Sequence, residues 1–95
     1  MYANKVNIAR IFGVSAPTVY RRIEGIKKEI GKRYNRYAII DNLVSLEVYA
    51  DYEKYHKRLG DKNLRKTVPA FDLQEAGAYL KKEDIRQCRQ SGEGN

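Results

Sequence analysis

The apolar positions at the start of the chain follow the spacing of two short amphipathic helices joined by a tight turn. Ile8 together with Ile11 or Phe12 gives a first helix an apolar stripe at a spacing of three to four residues. Gly13 comes next and permits a backbone turn with positive φ. The pattern therefore predicts a helix, a turn and a second helix within residues 5–30. The buried face of the second helix continues at spacings of three and four through Val19, Ile23, Ile26 and Ile30.

The outward positions of the second helix carry small, hydroxyl-bearing and cationic side chains. A helix in the DNA major groove reads base edges and contacts phosphates with such groups, and an ordinary helical hairpin in a core does not need them together. Thr18, Tyr20 and Arg21 are expected at base edges. Arg33 and Arg36, in the following segment, are expected at phosphates or in the minor groove. The full set of predicted DNA-binding residues is Ser15, Ala16, Pro17, Thr18, Tyr20, Arg21, Arg22, Lys27, Lys28, Lys32, Arg33, Asn35 and Arg36.

The string from Ile8 to Ile23, IARIFGVSAPTVYRRI, resembles the helix-turn-helix of bacterial, phage and archaeal DNA-binding proteins. It is similar to the DNA-binding end of serine recombinases and to the winged helices of MerR and excisionase-like proteins. A Gly-Val-Ser turn followed by Thr-Val-Tyr-Arg carries the resemblance, and many families share this motif. The resemblance implies a mainly α-helical fold in which a short β-hairpin, the wing, follows the second helix and touches the DNA backbone.

The segment after the second helix changes from helical to extended spacing. Gly31 is expected to end the helix. Residues 32–40 combine basic residues with tyrosine and isoleucine, which favour a strand. We expect a compact wing here, with Asn35 as its only candidate turn residue. The alternative is a basic linker without a hairpin.

A long apolar stripe marks a third helix, which we expect Asp41 to cap. Its apolar residues at helical spacing are Val44, Val48, Tyr52, Tyr55 and Leu59, and Leu43, Leu46, Tyr49 and Ala50 widen the surface. A helix this apolar needs cover on more than one side. One side is the helix-turn-helix, and the other is either intrachain core or a second subunit. We favour a homodimer whose interface buries Tyr49, Tyr52 and Tyr55.

The remainder of the chain predicts one more short helix. Gly60 and Asp61 end the third helix, and residues 61–69 are typical of a polar, basic loop. Asp72 and Glu75 form a capping arrangement for a final helix. The inner face of that helix is expected to contain Leu73, Ala76, Tyr79 and Leu80.

The positive charge of the chain is concentrated in its first part. The formal net charge is +7, from 19 Lys and Arg against 12 Asp and Glu. Residues 1–37 hold nine of these cations and only Glu24 and Glu29 as acids, whereas the rest of the chain is balanced. The excess therefore coincides with the predicted helix-turn-helix. A polyanion is the natural partner, because neutralised phosphates release counterions.

A length of 95 residues predicts one small domain, residues 1–88, followed by a flexible tail at residues 89–95. No apolar run approaches the roughly 20 residues that span a bilayer, and no signal peptide is recognisable. We therefore expect a cytoplasmic protein, associated with the nucleoid or a plasmid, that makes no membrane contact. Cys88 is the only cysteine, so we expect no intrachain disulfide. With one cysteine and one histidine we expect no metal site, and we expect no cofactor.

No arrangement of catalytic residues is recognisable, so we do not expect an enzyme. The three serines, Ser15, Ser45 and Ser91, fall in a predicted turn, a helix and the tail. His56 stands on a charged helix face with no evident acid or base as partner. The glycines are too far apart for a phosphate-binding loop.

Two functions fit these features. The first is a sequence-specific double-stranded DNA-binding protein that acts as a dimer, as a small transcriptional repressor or accessory factor, with the second helix in the major groove. The second is a DNA-organising protein that spreads along DNA, such as a plasmid partition adaptor at a centromere-like site. A recombination directionality factor of a mobile element would combine the two. The partner is double-stranded DNA in each case.

Overall fold

The computed structural model describes residues 1–78 and shows a mainly helical fold with a small three-stranded antiparallel sheet. The elements, in chain order, are β1 (Tyr2–Ala3), α1 (Lys5–Phe12), α2 (Ala16–Glu29), a 3-10 turn (Arg36–Ala38), β2 (Ile39–Ile40), β3 (Leu43–Ser45), α3 (Leu46–Leu59) and α4 (Lys62–Arg65). Residues 73–78 are helical as well and are named α5. The structure confirms the prediction of a mainly α-helical fold that contains a small amount of β structure.

The tight turn that the sequence predicts joins α1 to α2. Asn4 caps α1, because its side-chain oxygen accepts a hydrogen bond of 2.9 Å from the Asn7 backbone N–H. α1 ends at Gly13, which has a φ of 65°, a conformation that a residue with a Cβ resists. Ser15 caps α2 by accepting a hydrogen bond from the Thr18 backbone N–H. The core residues that these two helices contribute are Ile8, Val19, Ile23 and Ile26.

The sheet has the strand order β1-β3-β2, and both strand pairs are antiparallel. β2 and β3 form a hairpin in which Ile40 lies opposite Leu43. Asp41 is in the turn of this hairpin with a φ of 55°, which aspartate tolerates better than most residues. The expectation that Asp41 caps α3 is therefore wrong. Ser45 is the cap, because its Oγ accepts from the Val48 N–H at 3.3 Å.

The segment between α2 and the hairpin is less extended than predicted. α2 ends at Glu29, two residues before Gly31, which has a φ of 90°. The Glu29 carbonyl oxygen accepts from the N–H groups of residues 32–34, so the chain turns there. Asn35 is not in the hairpin turn. It caps the 3-10 turn instead, by accepting a hydrogen bond from the Tyr37 N–H.

The apolar face of α3 is covered by the same chain. Tyr49 is fully buried, and the centroid of its ring lies 4.7 Å from that of Phe12. Tyr55 is buried as well. Tyr52 lies so close to Gly25 of α2 that a Cβ there would overlap its ring. Tyr49 and Tyr55 belong to the intrachain packing, so the prediction that these two rings face a second subunit is wrong. Tyr52 is partly exposed, and its place in an interface stays a prediction. The homodimer itself stays a prediction.

A buried ion pair joins the turn after α2 to α3. Arg33 donates to Asp51 from Nε at 2.7 Å and from Nη2 at 2.8 Å, and their side chains are 8% and 6% exposed. The Tyr34 hydroxyl donates to the same carboxylate at 2.6 Å, and Arg33 also donates to the Pro69 carbonyl oxygen. Burial, and then the hydrogen bond to Asp51, raise the pKa of the Tyr34 phenol. The Arg33–Asp51 pair thus connects α3, the turn after α2 and, through the Arg33 guanidinium, the chain near residue 69.

The chain after α3 packs back against α2 and α3. α4 lies within the predicted loop, and Arg65 donates from Nη1 to Oε2 of Glu29 at 2.9 Å. Asp72 caps α5 as predicted, because its Oδ1 accepts from two N–H groups of the first turn. Ala76 is buried as expected, whereas Leu73 is 62% exposed and does not belong to the inner face. The predictions for Tyr79, Leu80, Cys88 and the tail at residues 89–95 lie outside the described residues.

We expect the Glu29→Gln substitution to weaken the acid dependence of stability. Hydrogen bonds from Arg65, opposed by burial, hold the pKa of Glu29 below its ordinary value of 4.5. Because the folded-state pKa is the lower one, the carboxylate contributes stability that is present above pH 4.5 and is lost as the pH falls through the folded-state value. Urea unfolding from neutral to acidic pH should show a smaller acid-induced loss in the variant. An unchanged pH profile would contradict this prediction.

Candidate nucleic-acid interface

The N-terminal half of α2 presents hydrogen-bonding groups on the side away from the core. The Ser15 and Thr18 hydroxyl oxygens lie 2.9 Å apart, and Arg21 donates to the Thr18 hydroxyl at 3.4 Å. Tyr20 is 54% exposed, and the ammonium of Lys5 lies 5.2 Å from the centroid of its ring. Among residues 1–78, no carboxylate forms an ion pair with Arg21. The exposed residues here are Ser15, Ala16, Pro17, Tyr20 and Arg21, and Thr18 is half-buried.

The C-terminal half of α2 adds exposed cations. Lys27 pairs with Glu24 at 3.0 Å, an exposed pair that contributes little to stability. Lys28 and, in the following turn, Lys32 are also exposed. A lysine ammonium is a flexible point charge suited to phosphates, whereas forked or hydroxyl groups discriminate base edges. The two halves of α2 are therefore suited to different parts of a duplex.

Two of the predicted DNA-binding arginines are used inside the chain. Arg22 donates to Glu53 of α3 at 3.2 Å, and both side chains are less than a quarter exposed. Arg33 is held by Asp51 in the buried ion pair. This placement corrects the prediction for both residues, because a carboxylate of α3 neutralises each guanidinium. Helical spacing does not reveal these pairs, since the partners are 31 and 18 residues apart along the chain.

The cations that we expect on a wing come before the β2–β3 hairpin in the chain. Residues 39–45, which form the hairpin, contain no Lys or Arg. Arg36 is exposed in the 3-10 turn, where it donates to the Tyr37 hydroxyl at 2.8 Å and lies 4.9 Å from the centroid of that ring. Asn35 beside it is exposed too. The Tyr2 hydroxyl donates to the Tyr37 carbonyl oxygen, so β1 supports this turn.

Lys5 and Arg10 are exposed cations of α1 that the prediction does not include. The contact of Lys5 with Tyr20 brings it beside α2. Arg10 donates to the Asn7 side chain at 3.1 Å and has no carboxylate partner in residues 1–78. Both cations belong to the charge excess of residues 1–37, and this excess is the sequence signal that points to them.

Residues 1–78 show no metal centre. No group of three or more His, Cys, Asp or Glu side chains in this part of the chain is arranged to hold a metal ion. His56 packs near Tyr52, with ring centroids 5.9 Å apart, and burial followed by the charge of Arg22 lowers the pKa of its imidazole. Within the same residues, no helix is both long enough and apolar enough to cross a membrane.

Comparison with known proteins yields no relative. No protein-family model matches the chain, and neither a curated protein nor a solved structure matches it. A functional proposal therefore depends on the geometry and charge of α2 and its neighbours.

Proposed function

We propose that this protein binds double-stranded DNA sequence-specifically, as a small transcriptional repressor or accessory factor. In this proposal α1 and α2 are a helix-turn-helix, α2 is the recognition helix in the major groove, and the β2–β3 hairpin is a short wing. The three-residue turn with Gly13 at positive φ and the Ser15 cap support it. α2 has 14 residues, about 21 Å of helix, which suffices to cross a major groove about 12 Å wide.

The observation that carries the proposal is the difference between the two faces of α2, one buried and apolar, the other exposed and polar. One face is buried by Val19, Ile23 and Ile26. The opposite face leaves Tyr20 and Arg21 exposed near the N-terminus, where a recognition helix contacts base edges. A helix that served only as core packing would have no need of an exposed guanidinium that pairs with no carboxylate of residues 1–78 and lies beside exposed hydroxyl groups.

The charge that remains on the surface supports the same proposal. Arg22 and Arg33 are neutralised within the chain, but seven cations of residues 1–37 are still exposed. An anionic backbone is the partner that such a surface attracts. These cations are Lys5, Arg10, Arg21, Lys27, Lys28, Lys32 and Arg36.

The proposal is tested by selecting binding sites from a library of random duplexes and then footprinting the protein on the selected site. We expect enrichment of a defined sequence and protection of a discrete stretch that does not lengthen as protein concentration rises. Protection that extends from the site with concentration would favour a protein that spreads along DNA. No enrichment and no duplex binding at low salt would overturn the proposal.

The Arg21→Ala substitution should relax discrimination at about one base-pair position by roughly 1 to 3 kcal/mol. A guanidinium at a base edge donates two hydrogen bonds that only the correct base accepts, and alanine removes both. Arg36→Ala is the matched control. It should weaken selected and random duplexes alike, because we place Arg36 at a phosphate. Fluorescence anisotropy with the selected duplex and its single-position variants measures both effects. Equal losses on selected and random DNA for Arg21→Ala would remove Arg21 from the base-reading residues.

A further inference from the structure

A second basic run lies outside the residues that the sequence assigns to DNA. Residues 54–66 contain six Lys and Arg and a single acid, Asp61. The balanced charge of the chain after residue 37 conceals this run, because the acids that offset it lie elsewhere in the sequence. The run covers the C-terminal turns of α3 and the whole of α4.

The fold attaches this run to the C-terminal end of α2. Arg65 donates to the Glu29 carboxylate and also, at 3.1 Å, to the Leu59 carbonyl oxygen. This ion pair neutralises Glu29, the last residue of α2, and holds α4 beside the end of that helix. Lys32 and Arg65 line the same surface pocket. The charge of Lys32 also acts on the Glu29 carboxyl and lowers its pKa, after the larger effect of Arg65.

A groove lies between the face of α2 that we propose as the reading surface and the end of α3 that precedes α4. This groove, of about 460 Å³, is lined by Tyr20, Arg21 and Lys28 of α2 and by Leu59 and Gly60 at the end of α3, among others. α4 begins two residues after Gly60. The chain therefore runs from the groove that contains the proposed base-reading side chains directly into α4.

The lysines of α4 and of its C-terminal end are available to a ligand. Lys62 and Lys66 are exposed and form no ion pair with any residue of 1–78. Lys62 precedes Arg65 by three residues, so the two side chains are neighbours on the helix. The Asp61 carboxylate is occupied as the cap of α4, where its Oδ1 accepts from two backbone N–H groups at 2.8 and 3.2 Å.

We propose that Lys28, Lys32, Lys62 and Lys66 form a second phosphate-binding surface, which holds the duplex backbone beyond the base pairs contacted by α2. This proposal rests on the proposed function, since it extends the same DNA footprint. Lysine ammonium groups suit phosphates, and they add affinity without reading sequence. The surface therefore contributes equally to selected and random duplexes.

The test compares the Lys62→Gln/Lys66→Gln variant with the parent on a selected and on a random duplex, as a function of salt. The slope of log affinity against log salt should become shallower by about two, because each lost lysine contact reduces it by about one. The ratio of the two affinities should stay unchanged. Lys54→Gln is the control, because Lys54 pairs with Glu75 of α5 at 3.0 Å and lies outside this surface. Its slope should equal that of the parent, and thermal unfolding establishes that each variant is folded.

Three results separate the two proposals. A shallower slope for the double variant with an unchanged affinity ratio supports the second surface. Parent-like slopes in the double variant would overturn the second surface while the parent still binds its selected site. A parent that binds no duplex at all would overturn the proposed function and the second surface together.

Discussion

The Asp51→Ala variant is expected to lose about 3 to 5 kcal/mol of its free energy of unfolding, the typical effect of leaving a buried charge without its partner. The Arg33 side chain is only 8% exposed and is held from its other side by the Pro69 carbonyl oxygen, so it cannot turn into water without moving the chain. The Tyr34 hydroxyl loses its acceptor as well. The free energy of unfolding of a small domain is about 5 to 15 kcal/mol, so this loss is a large fraction of it.

Two further variants show whether the unpaired charge is the cause. Replacing both partners, with Arg33→Met and Asp51→Leu, removes the charges together and should recover the part of the loss that the unpaired charge causes, because apolar pairs substitute well for buried ion pairs. The Tyr34 hydroxyl lacks its acceptor in both variants, so that part of the loss remains. Glu53→Ala is the control on the same helix. Its pair with Arg22 is more exposed, so its effect should be smaller. Urea unfolding followed by circular dichroism gives each value. An Asp51→Ala variant within about 1 kcal/mol of the parent, the size of an ordinary substitution, would contradict the prediction.

Duplex affinity is expected to fall on the order of a thousandfold or more between about 50 and 200 mM salt, as for a protein with six or more phosphate contacts. Seven exposed cations of residues 1–37, together with Lys62 and Lys66 of the second surface, are sufficient for that number. The physical cause is the release of condensed counterions when a lysine or arginine neutralises a phosphate. Anisotropy titrations of a random duplex at several salt concentrations measure the effect.

A matched pair of arginine variants tests where the contacts lie. Arg36→Gln removes an exposed cation and should reduce the slope by about one, the effect of one lost phosphate contact. Arg22→Gln removes a cation that is already paired with Glu53 and should leave the slope unchanged. A nearly flat dependence of log affinity on log salt in the parent would contradict the polyanion hypothesis and the proposed function with it.

The first two helices could be predicted from sequence because their signals are local. Ile8 and Val19 occupy positions whose spacing defines one face of a helix, and both are fully buried. Gly13 fulfils the expected turn role, and Ser15 caps α2, since a positive φ and an N-cap depend on only a few neighbouring residues.

The hairpin was misplaced because turn chemistry is ambiguous along a single chain. Asp41 and Asn35 both suit a turn and a cap. We expect Asn35 in the hairpin turn and Asp41 as a cap, but Asp41 lies in the turn and Asn35 is a cap. The choice depends on which strands pair. β1, at the start of the chain, pairs with β3 more than forty residues later, and no local pattern shows that partnership.

The apolar faces of the helices, the α1–α2 turn and the excess of positive charge in residues 1–37 follow from local patterns along the chain. Which of those charges stay on the surface depends on how the helices pack against one another. Arg21 and Arg22 are adjacent and chemically identical, yet one is exposed and the other is neutralised by Glu53 of α3. Arg33 is buried against Asp51 for the same reason. An ion pair forms when the fold brings two side chains within a few ångströms of each other, and that distance does not depend on their separation along the chain.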